Sequence, residues 1–292
     1  MTERASTDGG GSDLSLGPRL LYPAKAAVTR GRSLLWAVRG GASTPGLRVL
    51  FYHRVADADD ELAVRPAAFR AQMEWLAAAG LRGIDLAEAT RRLAAGETGG
   101  VVGLSFDDAY LDVAEHAAPV LERLGFSASV FVATGVTDGR VRFTWYAEQP
   151  PLIGWDAMRE LDAAGTLRFE AHTVTHPNLL ALDEADAAAE VAGSKTELEE
   201  RLGRPVTGFC YPAGLFGERE RRLVAEAGFA FAASCEPGPN PPGVDLLALR
   251  RIQVDHRDGL VDVRAKVAGA HDTALPLRAA YRRLRYGGSS ES

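Results

Sequence analysis

From Arg48 onward, short apolar runs alternate with segments whose apolar residues recur at helical spacing. Arg48-Val49-Leu50-Phe51-Tyr52-His53 reads as the first strong strand. Pro66 to Ala79 puts Phe69, Met73, Leu76 and Ala77 on one helical face, and Gly80 stops it. Asp85 suits the N-cap of a second helix through Ala95, with Glu88 three residues on to complete a capping box. Val101–Phe106 is nearly continuous in apolar residues, as a strand covered on both faces should be. A helix to Leu124 follows. Strands over Ala128–Ala133, Leu167–Ala171, Val206–Tyr211, Phe229–Ala233 and Leu247–Val254 then intersperse with helices over Trp155–Ala164, Asp183–Leu202 and Glu218–Ala227. This alternation predicts an α/β fold with a mostly parallel sheet and helices outside it. So many strands suit a barrel better than a dinucleotide-binding sheet. No G-x-G-x-x-G follows the first strand and no Walker A run occurs.

The chain has 292 residues, 46% hydrophobic and 25% charged, enough for a full core in ordinary soluble proportions. A formal charge of −6, with both signs mixed along the chain, gives no reason to expect nucleic acid as a partner. No run approaches the roughly 20 apolar residues that cross a bilayer. The polar opening shows no signal-peptide core, so a cytoplasmic location, with or without membrane association, is expected. Residues 1–46 read as a flexible tail carrying a short amphipathic segment, Ser33-Leu34-Leu35-Trp36-Ala37-Val38. Residues 47–257 form the barrel. Residues 258–292 read as a helical, basic tail whose Arg282-Arg283-Leu284-Arg285 could make a peripheral contact with a membrane or a protein. Cys210 and Cys235 read as buried free thiols.

In barrels of this kind chemistry gathers at the carboxyl ends of the strands. Ser105-Phe106-Asp107-Asp108 places adjacent carboxylates where an apolar strand stops. A helix cap needs only one of them. If one binds a cation, the other can stay ionised and accept a proton from water. His172-Thr173-Val174-Thr175-His176-Pro177 follows another strand and turns both imidazoles to one side of a tight loop. By chance H-x-x-x-H is common, but it gains weight beside the aspartate pair. Two histidines and one aspartate leave a catalytic metal an open position for water. Tyr211-Pro212-Ala213-Gly214 ends a third strand in a constrained turn. It is either a turn and nothing more, or the presenter of the Ala213 N–H to a developing oxyanion.

These three runs resemble the motifs of the NodB-homology, or polysaccharide deacetylase, family (carbohydrate esterase family 4). Ser105-Phe106-Asp107-Asp108 is similar to its T-F-D-D motif, His172 to His176 to its H-[ST]-x-x-H motif, and Tyr211-Pro212-Ala213-Gly214 to the end of R-x-P-x-G. Phe51-Tyr52-His53-Arg54-Val55 resembles the opening of the Y-H-x-V branch. The resemblance implies a distorted (β/α)7 barrel that removes acetyl groups from sugars with one divalent metal ion, Zn²⁺ in the usual case. By motif position it implies Asp107 as general base, Asp108, His172 and His176 as metal ligands, and Ala213 as the oxyanion donor. Cys210 stands where the third motif usually has the arginine that orients the base. No late histidine matches the family's acid: His256 looks like surface, His53 could line the pocket, and His116 looks structural. Glu170 could bind Arg54 or another cation across the barrel, or narrow the substrate path. Trp145, Tyr146 and Trp155 could stack on a sugar or simply pack. His53, Tyr211 and Trp145 are the expected substrate contacts.

The expected function is hydrolysis of an acetyl group from an N-acetylated sugar, on an amino sugar or short oligosaccharide that is either free or lipid-linked. Two rivals stand beside it. One is a metal-dependent amidohydrolase acting on a small non-sugar amide; the other is a catalytically silent carbohydrate-binding protein, favoured by Cys210 and the missing acid.

Overall fold

A computed structural model describes residues 45–272, with residues 27, 30 and 31 ahead of them. The segment 33–38 and the basic stretch 278–286 lie outside the described residues. The strands are β1 (Val49–Tyr52), β2 (Arg54–Val55), β3 (Ala63–Val64), β4 (Arg82–Ile84), β5 (Val101–Asp107), β6 (Ala128–Val132), β7 (Leu167–Ala171), β8 (Gly208–Cys210), β9 (Phe231–Ala233) and β10 (Ile252–Gln253). The helices are α1 (Pro66–Ala78), α2 (Leu86–Ala95), α3 (Ala118–Leu124), α4 (Thr134–Thr137), α5 (Trp155–Ala164), α6 (Glu184–Leu202), α7 (Glu218–Glu226) and α8 (Leu260–Val267).

The main sheet runs β10-β1-β5-β6-β7-β8-β9, all pairs parallel. A parallel bridge from Ala233 to Leu249, just ahead of β10, brings the far edge back toward the first. The result is a distorted (β/α)7 barrel of the NodB type. β4 is absent from the sequence pattern. It pairs with β5 only at Val101–Gly103, before β6 takes over that edge from Ser105. A three-residue strand has no periodicity to read, and Gly83 within it is required: a Cβ there would lie 2.4 Å from Leu104 Cδ1.

β5 is buried along its whole length, and its period of two sorts the chemistry. Leu104 and Phe106 face outward and pack with Phe69, Met73 and Leu76 of α1. Each such burial contributes roughly 1.5–3 kcal/mol. Ser105 and Asp107 take the other face, into the barrel, where Val49, Phe131, Cys210 and Phe231 form a second core. α1 starts at Pro66, a position whose missing N–H costs nothing. α2 is capped as expected, Asp85 Oδ1 accepting from Glu88 N at 3.0 Å. The reciprocal half of the capping box does not form. Ser127 Oγ accepts the Asp85 N–H at 2.9 Å, and the Glu88 carboxylate turns to Arg82 and Arg92.

Past residue 257, Val263 of α8 is buried in the outer core and Lys266 Nζ donates to Gln253 O of β10 at 2.6 Å, so α8 packs on the barrel. No helix among the described residues is long and apolar enough to cross a membrane.

Candidate metal centre

Five non-glycine residues among those described have positive φ: Asp108, Ala109, Thr173, His176 and Ala213. Four lie in the three polar runs at the strand ends, and Ala109 directly follows the first of them. Such conformations cost about 1–3 kcal/mol each and persist only where the surroundings over-determine them. Here that local cost aims side chains and amides into one place.

Asp108 leaves β5 at φ 72 and neither aspartate caps a helix. His172 follows β7, held by its N–H to Val132 O at 2.9 Å. Thr173 bends the chain, its hydroxyl donating to His172 O and accepting from His176 N. The tight loop expected from Pro177 forms and brings the imidazoles together, Nε2 to Nε2 3.2 Å. Asp108 Oδ1 stands 3.8 Å from His172 Nε2 and 3.7 Å from His176 Nε2. Donor atoms around a tetrahedral ion with ligands at about 2.0–2.2 Å are roughly 3.3–3.6 Å apart. One cation therefore fits between the three with shifts of a few tenths of an ångström. Asp108 Oδ1 is buried with no hydrogen-bond partner, the state expected of a ligand atom and costly otherwise. Burial, reinforced by Asp107 next door, pushes the Asp108 carboxyl well above its usual range. A cation at that spot would reverse this.

Burial also lowers both imidazoles, His172 to about 4, so they are neutral and ready to ligate at neutral pH. His172 Nδ1 is 2.7 Å from the Cys210 carbonyl. Donation there fixes the tautomer and leaves the Nε2 lone pair facing Asp108 and His176. The loop itself is clamped by Glu190 of α6, whose carboxylate accepts from Val174 N, Thr175 N and Thr175 Oγ1 at 2.7–2.8 Å. In the sequence Glu190 is one more polar position on an amphipathic helix. Glu190→Ala is expected to weaken zinc affinity by roughly 10–100-fold without loss of helix content, measured by competition with a chromogenic chelator. Equal affinity would mean that the loop holds itself.

A second set, Asp107, His172 and Cys210, also lies close enough to share an ion. Its electrostatics are wrong for one. Arg251, immediately before β10, reaches past β1 and binds both Asp107 oxygens, Nη1 to Oδ1 at 2.7 Å and Nη2 to Oδ2 at 2.9 Å. The same Nη2 is 3.0 Å from Cys210 Sγ, and burial holds that thiol protonated. Burial alone would raise Asp107; the Arg251 charge and its hydrogen bonds outweigh it and hold the carboxylate at about 2. Asp107 is thus an ionised carboxylate beside the other cluster, committed to Arg251.

Other expected residues divide. His53 continues the inward series Val49, Phe51, and its Nδ1 is buried without a partner. Trp145 is 38% exposed, stacked on Phe143 and 5.1 Å from the His176 ring. Tyr211 does not join them. It points outward into the sheet–helix core, stacked on Phe216 with its hydroxyl given to Leu247 O. Strand alternation sends it opposite to Cys210, and only its backbone borders the site. Glu170 does not meet Arg54; another cation, Arg168, takes its carboxylate, which also accepts from the Thr207 and Gly208 amides. Arg54 pairs with Asp60 and Asp112. Tyr146 donates to Asp60, Trp155 to Asp138, and His256 and His116 are exposed.

A family model described as polysaccharide deacetylase matches residues 95–232, which contain all three polar runs. YxkH of Bacillus subtilis (strain 168), a polysaccharide deacetylase by name, is 27% identical over 210 residues, covering 71% of each chain. The structure of IcaB from Ammonifex degensii superposes with a TM-score of 0.65 at 27% identity, over 73% of this chain and 93% of that one. The Streptococcus pyogenes deacetylase PplD shares the fold, with a TM-score of 0.68 at 23% identity over 77% of this chain and 99% of that one. The barrel, the motif order and the ligand cluster agree with this likeness and support the assignment of the chain to the NodB-homology polysaccharide deacetylase family.

Proposed function

We propose that the protein is a metal-dependent hydrolase that removes an acetyl group from an N-acetylated sugar. Asp108, His172 and His176 hold the cation and Asp107 is the base. The observation that carries this reading is the three-atom ligand cluster beside a carboxylate kept ionised by Arg251. Two imidazole nitrogens and one carboxylate oxygen suit Zn²⁺. Lewis acidity is what such an ion supplies when bound there, making water a better nucleophile at neutral pH and polarising the acyl carbonyl.

The chain's own groups do the rest. Asp107 takes one proton as the water oxygen bonds to the carbonyl carbon. The carbon–nitrogen bond then breaks, acetate leaves, and the nitrogen gains a proton to become the free amine. The Ala213 N–H, presented by a turn held at φ 51, is assigned to the charge that develops on the carbonyl oxygen. Trp145 offers an apolar face to a sugar ring beside His176, and His53 an uncommitted ring nitrogen on the barrel side. The silent reading loses its main support, because the arginine absent at Cys210 is matched by Arg251.

Purified protein stripped with a chelator is expected to stop releasing acetate from N-acetylglucosamine oligomers and to resume on addition of Zn²⁺ or Co²⁺. Turnover that is indifferent to chelation would overturn the scheme. Release from small acylated amines but from no acetylated sugar would replace the substrate class.

A further inference from the structure

We propose that Arg251 is the positioning residue for the base, an arginine relocated from the third motif to the strand that closes the barrel, with Cys210 as the small residue that makes room for it. This rests on the reading of Asp107 as the base. Arg251 is completely buried. Every direction of its guanidinium is used: Nε donates to Ser234 O at 2.9 Å, Nη1 to Ser105 Oγ at 3.1 Å and to Asp107, and Nη2 to Asp107 and toward Cys210 Sγ. Its flat face lies over the Phe51 ring, 4.3 Å from Cζ to centroid, with Phe131 at 5.4 Å. The fork is held in one orientation by strands from both edges of the sheet.

A buried ion pair is seldom retained for stability, since apolar groups of similar volume do as well or better. A base needs what this pair provides. Parallel N–H donors fix the plane of the carboxylate, and about two of its four lone-pair sites stay open to accept a proton. An arginine at position 210 would come from β8 and contest the space that Arg251 Nη2 now fills against Cys210 Sγ. The two positions are alternative origins for one guanidinium. Either origin alone should serve.

The test uses the full-length zinc and cobalt proteins. Arg251→Lys keeps the charge but loses the fork. It is expected to retain full metal stoichiometry and to lower kcat on N-acetylglucosamine oligomers by roughly 10–100-fold, with KM within about twofold. Acetohydroxamate, which gives up a proton as it chelates, should bind the cobalt-loaded Lys variant about 10-fold more weakly by visible absorption, a readout that needs no turnover. The double variant Cys210→Arg/Arg251→Ser should regain at least about 10-fold in kcat over Arg251→Ser alone. The proposal is overturned if folded Arg251→Lys keeps wild-type kcat and hydroxamate affinity, or loses metal in step with activity. It is equally overturned if the folded double variant is no better than the serine single variant. Should both serine variants fail to fold, the lysine variant decides. A wild-type protein that releases no acetate would count against the deacetylase reading instead, while hydroxamate binding would still judge Arg251.

Discussion

Asp107→Asn is expected to keep the metal and to lower turnover by roughly 10²–10⁴-fold, the range that a positioned base contributes. The metal is retained because the proposed ligand atoms are those of Asp108, His172 and His176, and Asp107 faces Arg251 instead. The asparagine is nearly isosteric, but it exchanges an ionised acceptor for an amide and leaves Arg251 buried beside no opposite charge. Breaking a buried pair from one side costs about 3–5 kcal/mol, so this variant should also melt at a lower temperature. Metal content by mass spectrometry, acetate release and thermal melting separate the effects. Loss of metal in proportion to loss of activity would contradict the division of roles between the neighbouring carboxylates. A variant with full activity would remove Asp107 from the chemistry altogether.

His176→Ala is expected to do the reverse. One ligand of three disappears, so zinc affinity should fall by more than the roughly 10–100-fold that losing a supporting partner costs. Activity at limiting metal should vanish and return in part at high Zn²⁺ or Co²⁺. Stability of the metal-free protein should fall only modestly, because the ring removed makes edge contacts with Phe143 and Trp145 and alanine must still hold φ 59. A metal-free variant much less stable than the metal-free parent would show that His176 is mainly a packing residue. Unchanged zinc affinity would exclude it from the coordination sphere. The two substitutions thus act on adjacent parts of one site and should give opposite patterns of metal retention and turnover.

What the sequence settles alone is whatever depends on neighbours a few residues away. Period and turn chemistry placed the long strands β1, β5, β6 and β7 and the helices α1, α2, α3, α5, α6 and α7 within a few residues. The aspartate pair, the histidine pair and the Pro-Ala-Gly turn were visible because each is a compact run at a strand end, where side-chain direction follows from alternation. The same alternation, carried one residue further, sends Tyr211 outward, which the motif by itself did not say. β4 escaped because three residues around an obligatory glycine carry no pattern.

Arg251 and Glu190 could not be read at all. Arg251 meets its carboxylate 144 residues back along the chain, and Glu190 grips a loop through backbone amides that look alike in any sequence. A charge counts as solvated until a partner is brought to it through closure of the barrel. Local chemistry wrote the proposed ligands and base into two short runs. Only the pairing of β10 and β5 on either side of β1 decided which charge meets the Asp107 carboxylate. Contacts between strands far apart in sequence exist only once burial has drawn those strands into one sheet.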